Sequence, residues 1–171
     1  MLKNLGKLQK TEDKMNLLNC VLFLVVSGLI IFFVGRVFPR KWIKENKFPF
    51  KDFKFEKGGK IYDKIKIKKW KTKLPDASLI IGKFFPKFLP KKRIDIKANE
   101  QEKIKVLIKE SCIAESTHLF SAIVGVFCAK LWKYWGIIVS FAWFTWNMLF
   151  VLIQRYNRPR LIKAFSHYPQ S

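Results

Sequence analysis

Two long apolar runs dominate the hydrophobic pattern of the chain. Residues 17–34 (LLNCVLFLVVSGLIIFFV) are 18 consecutive uncharged positions, and residues 135–153 (WGIIVSFAWFTWNMLFVLI) are 19. At about 1.5 Å rise per residue, helices of these lengths measure roughly 27–29 Å, close to the hydrocarbon thickness of a bilayer. Both are predicted to cross a membrane. Trp132, Tyr134 and Trp135 at one end of the second run, and Tyr156 beyond the other, lie where amphipathic rings sit at headgroup depth.

A third run, residues 111–129 (SCIAESTHLFSAIVGVFCA), is less apolar but long enough to cross. The short link from Lys130 to Tyr134 predicts that it forms a helical hairpin with the last run. Ser111, Ala114, His118, Ala122, Gly125 and Ala129 recur at i+3/i+4 spacing, a narrow stripe suited to close helix packing. A full crossing is preferred here over an interfacial helix that dips into the bilayer.

Between these runs the pattern changes. Residues 48–56 (FPFKDFKFE) alternate in two bursts, as in extended chain or a turn, and Gly58-Gly59 breaks the chain. Residues 60–74 (KIYDKIKIKKWKTKL) are helical in spacing but have an alternating IKIK centre, and Pro75-Asp76 ends the element. Either conformation buries one apolar face and exposes lysines, which suits an element lying on an anionic membrane surface. Residues 82–93, with two prolines, read as a membrane-hugging loop, and residues 98–110 lead helically into the hairpin.

Charge sharpens this division. The 171 residues hold 34 Lys and Arg against 12 Asp and Glu, a net charge of +22, yet 50% are hydrophobic and 16% aromatic. Such apolar content excludes a disordered basic tail, and such charge is foreign to an ordinary soluble domain. Residues 35–105 alone carry 23 basic and 8 acidic side chains, a net of +15. The excess of Lys and Arg in cytoplasmic loops keeps this segment inside the cell. Three crossings then put the N-terminus outside and Arg155, Arg158, Arg160 and Lys163 inside. A rival reading makes residues 1–34 a signal peptide, because a basic stretch precedes the apolar one. An uncleaved anchor is preferred: the run exceeds the usual 7–15 residues, and Gly35-Arg36-Val37-Phe38 offers no A-x-A-like cleavage site. Basic residues interleaved with aromatics also occur in nucleic-acid binders, but the membrane context makes the lipid bilayer the expected partner and nucleic acid an unexpected one.

The expected fold is an all-α membrane protein with about three transmembrane helices, one N-terminal and two in a C-terminal hairpin, and a basic, partly amphipathic surface segment between them. Its divisions are a tail and anchor over 1–34, the basic cytoplasmic segment over 35–105, the hairpin over 106–163 and a polar tail over 164–171.

Few groups can carry chemistry. Cys20, Cys112 and Cys128 are odd in number, lack metal-ligand spacing and read as small hydrophobes, so no metal site is expected. His167 lies in the polar tail. His118 follows Glu115 by three positions inside an apolar stretch, so both share one helix face. Ionisable groups at membrane depth are costly and usually functional, and a polar helix–helix contact is the alternative. The run Gln154-Arg155-Tyr156-Asn157-Arg158-Pro159-Arg160 places three guanidiniums beside the last helix, able to anchor the chain or to bind phosphate or carboxylate. An antiparallel hairpin returns this run to the membrane face of Ser111 and Glu115. Nucleophile elbows, phosphate-binding glycine loops and zinc-type clusters are absent, as is the His-x4-Asp motif of common glycerolipid acyltransferases.

Three stretches carry a family resemblance: Phe53-x-Phe55-Glu56-x-x-Gly59-Lys60 with Trp70-Lys71 and Leu74-Pro75-Asp76; Glu110-x3-Ala114-Glu115-x2-His118; and Gln154 to Arg160. In this order, over residues 36–163, the chain resembles the bacterial glycosyl-4,4'-diaponeurosporenoate acyltransferases. These small membrane proteins finish a C30 carotenoid pigment by esterifying a fatty acyl chain to the glucose of a glycosylated carotenoid acid. The resemblance implies a multi-pass enzyme of the bacterial cell membrane that acylates a glycosylated carotenoid or related glycolipid. It implies an acyl thioester donor, acyl-CoA or acyl carrier protein, with no bound cofactor. It further implies that His118, oriented by Glu115, is the catalytic base, with Arg155, Asn157, Arg158, Arg160, Glu56, Trp70 and Lys71 as substrate-binding residues. The competing classes are a non-catalytic membrane scaffold or lipid-binding subunit, and another small lipid transferase such as a methyltransferase.

Overall fold

A computed structural model describes residues 2–74 and 100–167. The expected loop over 82–93, the stop at Pro75-Asp76 and the last residues of the polar tail lie outside the described residues. Five α-helices are described: α1 (Leu2–Val37), α2 (Ile61–Lys64), α3 (Ile67–Trp70), α4 (Glu100–Leu131) and α5 (Lys133–Ser166). There is no strand among the described residues. Segments Gly6–Val37, Gln101–Leu131 and Tyr134–Ser166 are long and apolar enough to cross a membrane. The protein is thus an all-helical membrane protein with the three long helices that its apolar runs predict.

The chain divides into two compact units. The first comprises the chain through Ile43 together with Cys112–Leu152. Its α1 is 36 residues long, about 54 Å of helix, so the residues expected as a tail before the apolar run continue the same helix. Pro39, which favours extended backbone at the residue before it and cannot continue the hydrogen-bond ladder, follows its end. Within the apolar stretch the Ser27 hydroxyl donates to the Phe23 carbonyl at 2.7 Å, so it needs no outside partner.

Helices α4 and α5 are parted by Trp132 alone. Gly136 permits this tight reversal, because any Cβ there would overlap the Cys128 carbonyl. From the reversal the partners run in opposite directions along the two helices: Ser140 Oγ donates to the Gly125 carbonyl at 2.6 Å, the Trp143 indole donates to the Ser121 carbonyl at 3.1 Å, and His118 meets Asn147. Helix α1 is antiparallel to α4: Cys20 contacts Cys128, while Gly35 faces Thr117 and Ile113. The small-residue stripe acts as expected at Gly125, where the Trp143 ring occupies the space of a side chain. Cys20, Leu24 and Cys128 form the buried centre of this unit, with Phe23, Trp132, Val139 and Trp143 around it.

The second unit comprises Lys44–Ser111 and the chain from Ile153. Here the IKIK pattern gives neither one helix nor a strand. Lys66, in the left-handed region at φ 54°, separates α2 from α3, and this break turns Tyr62 and Ile67 both inward while Ile61 and Ile65 stay exposed. Before α2, Lys57, Gly58 and Gly59 take three successive left-handed conformations, with φ of 49°, 63° and 87°. Two of the three are glycines, which adopt such angles without a Cβ penalty.

Candidate active site

The second unit gathers seven of the residues expected from the sequence: Glu56, Trp70, Lys71, Arg155, Asn157, Arg158 and Arg160. Glu56 ends a 3-10 turn (Lys54–Glu56), where its carboxylate accepts the Phe53 backbone N–H at 2.8 Å. The same carboxylate accepts the Tyr62 hydroxyl and, at 2.8 Å, the Arg155 guanidinium from α5. Glu56 is only 2% exposed. Burial pushes its carboxyl up, but the bonds from Tyr62, Arg155 and the Phe53 N–H, with the charge of Arg155, outweigh this and hold it below the usual carboxylate range. Arg155 also donates to the Pro49 carbonyl at 2.6 Å and lies over the Phe53 ring.

Arg158 is 1% exposed. Its guanidinium donates to the Phe50 carbonyl at 2.8 Å and to the Ser111 carbonyl at 3.4 Å. The fork is therefore turned into the fold, where it satisfies main-chain acceptors. Arg160 stands on the surface, paired with Asp63 at 2.8 Å and stacked over the Tyr156 ring at 3.6 Å. It also donates to the Tyr156 carbonyl at 2.6 Å, one of the carbonyls in the turn that Pro159 disturbs. Lys71 donates to Asn157 Oδ1 at 2.9 Å, with its ammonium 4.8 Å from the centre of the Tyr156 ring. Burial, then the charges of Arg160 and Lys68, hold Lys71 below the usual lysine range. Trp70 is half-buried and donates its indole N–H to the Ile65 carbonyl at 3.1 Å. Gly59 packs beneath this cluster; a Cβ there would come 3.3 Å from the Arg160 guanidinium and 3.5 Å from Pro159.

Glu115 and His118 belong to the first unit. Glu115 is fully buried, and His118 is half-buried. His118 Nδ1 lies 3.1 Å from Asn147 Oδ1, and the imidazole stacks on Phe150 with centroids 4.7 Å apart. Asn147 is 4% exposed, and its Nδ2 donates to the Trp143 carbonyl at 2.9 Å. That bond fixes the amide, because the flipped form would set its oxygen against another carbonyl oxygen. The oxygen facing Nδ1 makes Nδ1 the protonated nitrogen of the neutral ring, so Nε2 carries the lone pair. Such an imidazole can accept a proton at Nε2. Among the described residues, no group of three or more His, Cys, Asp or Glu side chains is placed to hold a metal ion.

Asn147 and Phe150 were not singled out from the sequence. A lone amide within a 19-residue apolar run was the available signal for Asn147, by the same reasoning that singled out His118. Tyr62 and Asp63, which complete the arginine contacts, carry no such signal in so polar a segment.

Three helices long and apolar enough to cross a membrane, with a tautomer-fixed histidine in one unit and a cation-rich cluster in the other, define a small helical membrane protein with groups suited to proton transfer. The chain belongs to the glycosyl-4,4'-diaponeurosporenoate acyltransferase family, whose pattern matches residues 39–167. It is 28% identical over 143 residues to the glycosyl-4,4'-diaponeurosporenoate acyltransferases of Staphylococcus aureus strains bovine RF122 / ET3-1, N315 and USA300, a stretch that covers 83% of this chain and 83% of each relative. No solved structure matches the chain.

Proposed function

We propose that this protein, a multi-pass protein of the bacterial cell membrane, moves a fatty acyl chain from an acyl thioester to a sugar hydroxyl of a glycosylated carotenoid or related glycolipid. The observation that carries the reading, beside family membership, is the pinned imidazole of His118. In this reading Nε2 takes the proton of the acceptor hydroxyl as its oxygen attacks the thioester carbonyl carbon. The tetrahedral adduct collapses with cleavage of the C–S bond, and the imidazolium returns its proton to the leaving thiolate. A positioned base of this kind contributes about 10²–10⁴-fold.

Asn147 takes the orienting role that the sequence suggested for Glu115, because it is Asn147 that faces Nδ1. The charge of Arg160, Lys71 and the exposed lysines of the second unit attracts the anionic donor, acyl-CoA or an acyl carrier protein. Arg155, Arg158 and Glu56 support that surface from within. The test is His118→Gln in membranes holding equal amounts of protein: ester formation on a glycosylated carotenoid is expected to fall at least a hundredfold, and a wild-type rate removes His118 as the base.

A further inference from the structure

Within the first unit, α1 and α5 flank an open groove of about 450 Å³. Val21, Leu24 and Val25 wall it from α1, and Ile138, Ala142 and Trp146 from α5. Its size is that of a small-molecule pocket. No charged or hydroxyl side chain lines it, and the indole N–H of Trp143, at its back, is turned away to the Ser121 carbonyl and hydroxyl on α4. The groove therefore offers apolar contact and shape to an aliphatic ligand, and nothing to a headgroup.

Its position relative to His118 adds a direction. From Ile138 to Trp146 the helix rises about 12 Å. The Trp146 ring stands edge-on to Phe150 with centroids 5.6 Å apart, and Phe150 stacks on the His118 imidazole. Two rings thus connect one end of the groove to the candidate base.

We propose that this groove holds the alkyl chain of the acyl donor, with the thioester at the Trp146 end, nearest His118. The inference rests on the acyl-transfer reading above. A saturated chain bends to follow an aliphatic slot of this length, whereas a C30 polyene is a stiff rod far longer than the slot. A bilayer phospholipid could insert a tail, but only a chain that ends in the reacting group gains from continuity with the imidazole.

Two measurements on the full chain in phospholipid nanodiscs test this. A fatty acyl-CoA tipped with a diazirine should label the groove residues between Val21 and Val25 and between Ile138 and Trp146, and unlabelled palmitoyl-CoA, but not excess phosphatidylglycerol, should compete. Ile138→Trp should block the far end of the slot, lowering kcat/KM for a 16-carbon donor by about tenfold while leaving an 8-carbon donor within about twofold. Labelling elsewhere, competition by phospholipid alone, or equal losses for both chain lengths overturns the proposal. Ester formation without groove labelling sinks this inference alone, whereas groove labelling with no ester from acyl-CoA or acylated carrier protein retains the chain site and sinks the acyl-transfer reading.

Discussion

His118 and Asn147, 29 residues apart in sequence, face each other at 3.1 Å across α4 and α5, and the Asn147 amide is itself tethered to the Trp143 carbonyl. Asn147→Leu keeps a similar volume and removes the acceptor, so the ring loses both its tautomer and its orientation. The expected result is a kcat lowered about 10- to 100-fold with little change in the donor KM, measured in membranes against His118→Gln. A double variant should be no worse than His118→Gln alone, since the two residues act as one unit. Additive losses would separate Asn147 from the base.

The glycines of the first unit rank themselves by what surrounds them. Alanine at Gly28 would meet Trp143 at 3.7 Å, ordinary contact, so the usual helical gain over glycine of about 0.5–1 kcal/mol should appear. At Gly125 a Cβ overlaps the Trp143 ring, which must shift and strain its bond to Ser121, costing about 1–3 kcal/mol. At Gly136 the obstacle is the Cys128 carbonyl, a backbone atom that cannot rotate away. Thermal unfolding of the three Gly→Ala variants in detergent should place Gly136→Ala lowest, Gly125→Ala next and Gly28→Ala at or above the parent. Any other order contradicts the packing of α1, α4 and α5.

Much of this architecture is written in the chain at the scale of single helices. Apolar runs of 18 and 19 residues state a membrane thickness, and Gly58-Gly59 states a break. Helix ends are less visible, because an apolar run records where lipid begins and the backbone ladder continues until something stops it, as Pro39 follows α1. The left-handed Lys57 and Lys66 were not legible either, since lysine has no preference for that region and only the packing of Tyr62 and Ile67 demands it. Pairs such as Glu56 with Arg155, 99 residues apart, are invisible without the fold. Their residues could be marked from family resemblance, but as ligands for substrate; the geometry gives Arg155 and Arg158 carboxylate and carbonyl partners inside the chain.

Acid should loosen the second unit through Glu56. Its folded carboxyl lies below the unfolded value near 4.5, so the ionised form stabilises the fold above that pH, and the contribution is lost as pH falls through the lowered folded value. Amide hydrogen-exchange protection over residues 47–64 in the full chain, taken relative to the intrinsic exchange rate at each pH, should therefore fall below about pH 4.5. Glu56→Gln should already exchange fast at pH 7, because it leaves Arg155 without its carboxylate at a cost of about 3–5 kcal/mol, and it should lose the acid step. An unchanged acid step in Glu56→Gln would assign the titration to another group.

Arg158→Lys separates holding the fold from holding the donor. The planar fork of Arg158 reaches the Phe50 and Ser111 carbonyls together, and a lysine ammonium at the end of an unforked stem cannot span both. A buried acceptor left without its donor costs about 1–3 kcal/mol. The expected outcome is a lower thermal midpoint with the donor KM unchanged in the fraction that remains folded. Arg160→Gln should behave in the opposite way: its pairing with Asp63 is exposed and worth under about 1 kcal/mol, so stability should hold. Its charge faces solvent where an anionic donor can meet it, so the donor KM should rise several-fold and the effect should fade at high salt. If Arg158→Lys instead raises the KM at an unchanged midpoint, the buried guanidinium is reaching a ligand after all and the fold around Phe50 must open to admit it.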